Sequence, residues 1–459
     1  MEMMKKEDES NQKDSTNMNL GTQKISKLLW QLSIPAILGM LSSAIFNIVD
    51  RIYVGKLSSN ALTAVGITMP VQIIQMAFIL LIGIGTSSLI SIKLGENKIE
   101  DAEAILFLAL KYIVLFLIAF SVLFLIFLDP ILSLLSISDQ VLPYAKDYII
   151  IIIVGSIIGI PGYCLNNSLR SIEQTKISMK IVVITSILNI ILDPIFIFIF
   201  DMGIAGAAIA TVISQTTLTI YIIYAFVKKR DFIIHLRIQK VENEVQLMKD
   251  SLIRGLPSFN IQILASIVSL FINHSLLKFG KDLDIAAVTI MASIHSFYHM
   301  VIVGIVQGNN VVCGYNWGAK QYARVRKSLQ LALYSSFLIS LALFLLVMLA
   351  PKFLVRMFTD ELPLIQLTSN EIKIYLSMLP LIGLHTISSQ YFQVIGRIKK
   401  SNLLAFLRYG VIVIPFIILL APKVGVRGIY LSNAISDGIA SVIAICFILI
   451  DLHKLKYMD

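Results

Sequence analysis

Hydrophobic and polar positions along this chain come in blocks and do not alternate. Apolar runs of about 20 residues or more, the length that crosses a ~30 Å bilayer core as helix, are separated by short stretches holding nearly all the charge. Twelve such runs lie near residues 27–53, 63–92, 104–128, 141–168, 178–200 and 203–227, then 252–277, 285–313, 328–350, 372–395, 401–421 and 425–451. Each predicts a membrane-spanning helix, because a backbone in lipid must bond its own N–H and C=O groups. The expected fold class is an all-α polytopic membrane protein with 12 transmembrane helices in two six-helix lobes.

Composition sharpens this. Of 459 residues, 57% are AVILMFWYC and only 14% are DEKR, and mean hydropathy is +0.84. A soluble domain carries about 25% charged residues, so a water-soluble fold is excluded. With the N-terminus inside, 26 of the 38 Lys and Arg fall in the tails and inner loops and 10 in the outer loops. That bias predicts both termini in the cytoplasm of a multi-pass protein of the cell membrane. It also accounts for the net charge of +10 without a nucleic-acid partner. Residues 1–24 mix both charge signs and lack an apolar core, so they read as a disordered cytoplasmic tail and not as a signal peptide. Cys164, Cys313 and Cys446 lie in or beside apolar runs without CxxC spacing and read as buried small hydrophobes.

The stretch from Lys228 to Arg254 divides six spans from six and predicts a cytoplasmic linker, in part an interfacial amphipathic helix. Across it the chain repeats. GIAGAAIATVIS at 203–214 matches GVRGIYLSNAIS at 425–436, and Pro35/Pro257, Gly83/Gly304, Gly95/Gly318 and Lys176/Lys399 keep nearly the same shift of 222. An even number of spans per repeat gives both halves one orientation, the parallel-repeat plan of some secondary transporters. The expected domains are an N-lobe at 25–228, a linker at 229–251, a C-lobe at 252–452 and a cytoplasmic tail at 453–459.

Among the acidic residues inside the apolar spans, three are candidates for chemistry: Asp50, Asp193 and Asp437. A carboxylate in hydrocarbon costs several kcal/mol, so such residues usually face a cavity or a partner. Asn189 shares the helical face of Asp193 at i−4, and Thr211 and Tyr148 reach a similar depth in neighbouring spans. Two plainer readings compete: Asp50 before Arg51 marks a solvated helix end, and Asp193 before Pro194 satisfies backbone groups freed by a kink. Asp437, alone in the second half, is given a structural role. His295 and His299 stand at i, i+4 without the glutamate or third ligand of a metal motif, so no metal site is expected beyond a Na+ at the coupling site. No phosphate-binding G-x-x-x-x-G-K-[ST] motif is present, so transport energy is expected from an ion gradient, with no cofactor.

Four pieces, FNIVDRIYVG at 46–55, LNIILDPIFIF at 188–198, GIAGAAIATVISQ at 203–215 and VQGNNVVCGYNWGAKQYARV at 306–325, resemble the multidrug and toxic compound extrusion (MATE) family, nearer its MepA-like branch. The resemblance implies a V-shaped pair of lobes around a central cavity. It implies a non-enzymatic antiporter, working as a monomer in the bilayer, that exports cationic amphipathic drugs in exchange for H+ or Na+. The family's first-lobe coupling site maps onto Asp50, Asn189, Asp193, Tyr148 and Thr211. Asn166 joins by spacing, although span order puts it nearer the inner end. Pro35 matches the proline at which the first helix bends, and the cavity candidates are Phe46, Asn47, Gln215, Met291, His295, Gln307 and Asn310. Two other readings are weighed. A lipid-linked oligosaccharide flippase would share the lobe plan but needs several basic residues in its cavity, and only Lys111 and Arg408 lie deep within spans, away from their ends. A membrane acyltransferase using His295, His299 or His385 as base leaves the repeat unexplained.

Overall fold

The computed structural model describes residues 19–134, 139–280 and 282–458; most of the expected tail at 1–24 lies outside them. Among the described residues the regular structure is helical, with no strand. The first half holds α1 (Ile25–Leu57), α2 (Ser59–Gly95), α3 (Ile99–Ile126), α4 (Leu142–Gly159), α5 (Pro161–Ser171), α6 (Thr175–Pro194) and α7 (Gly203–Lys228). The second holds α8 (Glu244–Phe279), α9 (Asp282–Gly318), α10 (Tyr322–Leu349), α11 (Leu362–Tyr375), α12 (Leu379–Val394), α13 (Ile398–Phe406), α14 (Val413–Val424) and α15 (Val426–Lys456).

Eleven described spans are long and apolar enough to cross a membrane. A twelfth is made by α11 and α12, bent by 49° at their junction. The tenth apolar run is therefore a broken span that starts ten residues before the predicted 372, at Leu362, where Pro363 occupies the first helical turn. Prolines also open α4, α5 and α12, where a missing N–H leaves no bond unmade. The fifth and eleventh spans are continued by wide π turns, Ile195–Ile199 after Pro194 and Leu407–Val411 between α13 and α14. Such turns interrupt the i→i−4 ladder and recur at functional sites.

The linker at 229–243 is not helical. Within it Phe232 and Ile234 are buried. The His235 N–H donates to Glu103 at 2.8 Å, and Glu244 at the head of α8 meets Lys111 at 2.7 Å and the Tyr112 hydroxyl at 2.8 Å. At the other end of the sequence Leu20 is fully buried. Its N–H donates to the Glu173 carboxylate at 3.0 Å, and its carbonyl accepts from Asn316 Nδ2 at 3.1 Å. Cys164 and Cys313 are buried as expected, but Cys446 is exposed, on an apolar helix face of the kind that lipid covers.

The chain divides into two compact units. One comprises Met1–Leu28, as far as it is described, with Leu38–Gly255 and Gly314–Lys320; the other comprises Leu29–Ile37, Leu256–Cys313 and the described part of Gln321–Asp459. In the first, α4 packs on α7, α2 on α3 and α5, and α6 on α7. Ala61, Ala64, Ala145, Ala207 and Ala208, all fully buried, let these helices approach closely. In the second, α12 packs on α10, α13 and α15. Asp451, with no exposed surface, is ion-paired with Arg397 and accepts from the Tyr391 hydroxyl at 2.7 Å.

Each unit contains close crossings between helices of the two repeats. In the first unit a Cβ on Gly85 of α2 would strike the Ser251 carbonyl of α8, and one on Gly255 of α8 would strike the Leu81 carbonyl of α2. In the second, Gly304 and Gly308 of α9 meet Ile37 and Ser33 of α1 in the same way. Ser33 and Gly255 stand 222 residues apart, so one packing solution serves both repeats. Overfilling a packed contact of this kind costs about 1–3 kcal/mol. Gly255→Val is therefore expected to lower the melting temperature of the detergent-solubilised protein. Gly66→Ala, with nothing within 4 Å of the added carbon, is expected to leave it unchanged or raise it.

Candidate functional site

Side chains spaced i and i+4 on three helices of the first unit build a polar centre. Phe46 and Asp50 share a face of α1, Thr185, Asn189 and Asp193 share a face of α6, and Thr211 and Gln215 share a face of α7. A small, partly open pocket lies among Phe46, Tyr163, Thr185, Ser186, Asn189, Thr211, Ser214 and Gln215. Asn189 Nδ2 donates to Asp193 Oδ1 at 3.2 Å and to Thr211 Oγ1 at 3.4 Å. The two remaining oxygens, Asn189 Oδ1 and Asp193 Oδ2, are buried without a hydrogen-bond partner.

Two of these facts decide between the readings of the acids. Helix α1 continues seven residues past Asp50 to Leu57, so Asp50 does not mark a helix end. Asp193 takes its bond from a side chain, not from backbone freed by Pro194, and its other oxygen takes none. Asp50 and Asp193 lie within electrostatic reach of one another and of the Tyr148 phenol. Tyr148, 5% exposed, holds its place in the core formed by Val54, Ala145 and Ala208, and Gln72 of α2 lies near it. The set therefore has a surplus of buried acceptor oxygens. Chemically it is completed by something that supplies positive charge or donors: a proton on a carboxylate, or a hard cation bound by oxygens. Its donor types fit Na+ or H+, and no geometry of a bound ion is implied by them.

Asn166, on α5, is 4% exposed with its Oδ1 unpartnered, and it does not line the cavity. Asn47 is exposed on α1, one residue from Phe46. Met291, His295, Gln307 and Asn310 all lie on α9 in the second unit. Twelve residues separate His295 from Gln307, about 18 Å along the helix, so these four do not form one cluster. His295 and His299 stack with ring centroids 6.1 Å apart. Pro35 lies inside α1, which runs through it unbroken, in the segment that packs on Gly304 and Gly308.

Sequence reasoning missed several groups. Thr185 was accessible to it, four residues before Asn189 on the same face, and so was Ser214, beside Gln215. Tyr163 and Gln72 carry no local signal, since they reach the site only because α5 and α2 pack there. Asp437 is not alone either: Arg408 Nε donates to its Oδ1 at 2.7 Å.

The comparisons agree with this architecture. The MatE family model matches twice, at residues 35–195 and 257–419, and the second match begins 222 residues after the first. The multidrug export protein MepA of Staphylococcus haemolyticus (strain JCSC1435) is 26% identical over 449 residues, 97% of this chain and 98% of that protein. A multidrug resistance MATE family transporter of the MOP superfamily, solved in an outward-facing conformation, superposes with a TM-score of 0.89 at 25% identity over 95% of this chain and 98% of that one. A MATE protein in a bent conformation gives 0.89 at 26% identity over 96% and 98%. With two copies of the family model spanning well over half of its length on an all-helical, multi-span fold, this chain is a member of the MatE family of membrane transporters.

Proposed function

We propose that the chain is a secondary active antiporter of the cell membrane that exports cationic, amphipathic drugs in exchange for H+ or Na+. The single observation that carries this reading is the Asn189, Asp193 and Thr211 group, with two buried, unpartnered acceptor oxygens beside a pocket. The names of the relatives, a multidrug export protein and a multidrug resistance transporter, supply the substrate class.

In this reading Asp50, Asp193, Asn189, Thr211, Tyr148 and Asn166 form the coupling site, within an N-lobe at 25–228 joined by a linker at 229–251 to a C-lobe at 252–452. Both termini are cytoplasmic, and the protein works as a monomer without enzymatic activity or cofactor. Drug contacts come from Phe46, Asn47, Gln215, Met291, His295, Gln307 and Asn310. Two carboxylates in one buried site favour uptake of positive charge. Cation uptake completes the Asn189 and Asp193 oxygens, and any repacking of α1 that follows, with Pro35 as its flexible point, withdraws drug contacts on the outer side. Coupling then requires only that cation and drug prefer different states. The two basic residues deep within spans favour this reading over the flippase, since Lys111 is held by Glu244 and Arg408 by Asp437, each at 2.7 Å. Neither is free to hold a diphosphate.

Asp193→Asn is expected to lower proton-coupled drug efflux by on the order of tenfold, about 1.4 kcal/mol of coupling; efflux equal to the parent would remove this carboxylate from the mechanism. Proteoliposomes with separately imposed gradients identify the ion. If Na+ is the driver, Asn189→Ala and Thr211→Ala should each raise the sodium concentration for half-maximal efflux, because both supply shell oxygens. If H+ is the driver, Asp193→Asn should be far more damaging than either.

A further inference from the structure

The two repeats put different chemistry at matching positions. At the shift of 223 that aligns Lys176 with Lys399 and Ser178 with Ser401, Thr185 corresponds to Arg408 and Ser186 to Tyr409. At the shift of 222 that aligns the GIAG and GVRG segments, Gln215 corresponds to Asp437. Thr185, Ser186 and Gln215 line the first unit's cavity. The second unit therefore holds an arginine, a tyrosine and an aspartate where the first holds three small or neutral polar residues.

These three are arranged around one charge pair. Arg408 Nε donates to Asp437 Oδ1 at 2.7 Å, with the side chains 5% and 15% exposed. The guanidinium carbon stands 4.8 Å from the centre of the Tyr409 ring. The π turn that carries Arg408 is tied to α15, because the Arg408 carbonyl accepts from the Ser436 hydroxyl at 2.7 Å. Tyr298, His299 and Tyr375 lie within electrostatic reach of both charges, and His295 within reach of Arg408.

Stability alone is a weak reason for this arrangement. Desolvating two charges cancels most of their attraction, and the first repeat fills the same positions with threonine and glutamine. A largely buried carboxylate whose cation stacks on a tyrosine ring is instead the chemistry that receives an organic cation. In this structure the cation in that place is the guanidinium of the chain itself. We propose that Asp437, with Tyr409, forms an organic-cation subsite in the second unit in which Arg408 is a tethered occupant that a cationic drug displaces. The proposal rests on the exporter reading for the class of ligand, and it adds a recognition site that the first-unit cavity does not contain.

A tethered occupant lowers apparent affinity by the fraction of time the site stands open. It also selects, since a ligand must out-compete guanidinium for one carboxylate. Delocalised, weakly hydrated monocations with apolar bulk do so, and neutral drugs gain nothing from the exchange.

The test is equilibrium binding of radiolabelled tetraphenylphosphonium to the full chain in nanodiscs, with melting curves to establish folding. Arg408→Thr, which installs the first-repeat residue and leaves Asp437 unoccupied, should tighten binding about tenfold. Arg408→Thr with Asp437→Gln, which carries no buried charge at these positions, should lose that gain. If Arg408→Thr does not fold, Arg408→Lys keeps the charge but gives up the planar stacking on Tyr409, and it should tighten binding by a smaller factor that Asp437→Asn again removes. Parental affinity in a folded Arg408→Thr, or an equal gain in the double variant, overturns the subsite. Ionophore-sensitive dye efflux by the parent is measured alongside. A parent that exports while Arg408→Thr binds no tighter defeats this proposal alone, whereas a parent that exports nothing defeats the exporter reading and leaves the binding comparison to judge the subsite.

Discussion

A charge inside an apolar helical bundle carries a desolvation penalty of several kcal/mol even after relaxation, and most of this structure can be understood from how each such charge is met. Lys111 is met by Glu244, which thereby pins the first turn of α8 to α3. Asp451 is met by Arg397 and Tyr391, joining the junction before α13 to the end of α15. Arg427 and Glu371 pair at 2.8 Å, linking α11 to α15. In each case the carboxylate and its cation come from different segments of the chain, so satisfying a charge also fixes how those segments sit against one another. The first-unit acids are the exception. Asp193 has one neutral amide donor and an oxygen left over, and Asp50 is an acid, which makes the need of Asp193 greater.

Unmet need of that kind is tolerable only where something outside the protein meets it in turn. That is the physical reason behind the proposal that ions exchange in the first unit. The second unit, built on the same repeat, has taken the opposite course and closed its charge internally. Sequence alignment of the halves puts Ile412 and Phe416 where the first has Asn189 and Asp193, so the second copy lacks the oxygens of the first and gains an ion pair one to two turns earlier. Duplication has given the molecule two similar frames, and divergence of a few side chains has given them different electrostatic tasks.

The span plan was legible because a bilayer imposes a length and a polarity that a sequence cannot disguise. All twelve apolar runs correspond to helical spans, since apolar side chains and self-bonded backbone leave no other stable form in lipid. The break between α11 and α12 was hidden: Ser377, Met378 and Leu379 stay apolar enough to read through, and only Pro380 marks the new start. Helix ends were also hidden, because polar residues beyond the apolar core extend α2 and α8 by bonding to one another, as Lys93 does with Glu96 at 3.5 Å and Asp101 at 3.1 Å. At the site, Asn189, Asp193 and Thr211 could be grouped by counting turns and depth. Gln72 and Tyr163 could not, nor could the Arg408 and Asp437 pair, 29 residues apart, because each depends on which helices become neighbours.

The π turns have a geometric consequence. Each wide turn admits one extra residue, and one residue on an α-helix is a rotation of about 100°. A helix that contains one therefore presents different sides to its neighbours above and below the insertion, as a screw does when its thread is cut and restarted. In the fifth span the restart follows Asp193, so the polar face of Thr185, Asn189 and Asp193 ends there, and Ile197 beyond it is turned into the core formed by Ala207 and Ala208. In the eleventh span the restart contains Arg408 itself, so it divides the polar stretch of Ser401 and Asn402 from the apolar turns of α14. The same insertion thus ends a polar stripe at two different depths, and the depth at which the thread restarts determines how far into each half of the molecule a polar surface can extend.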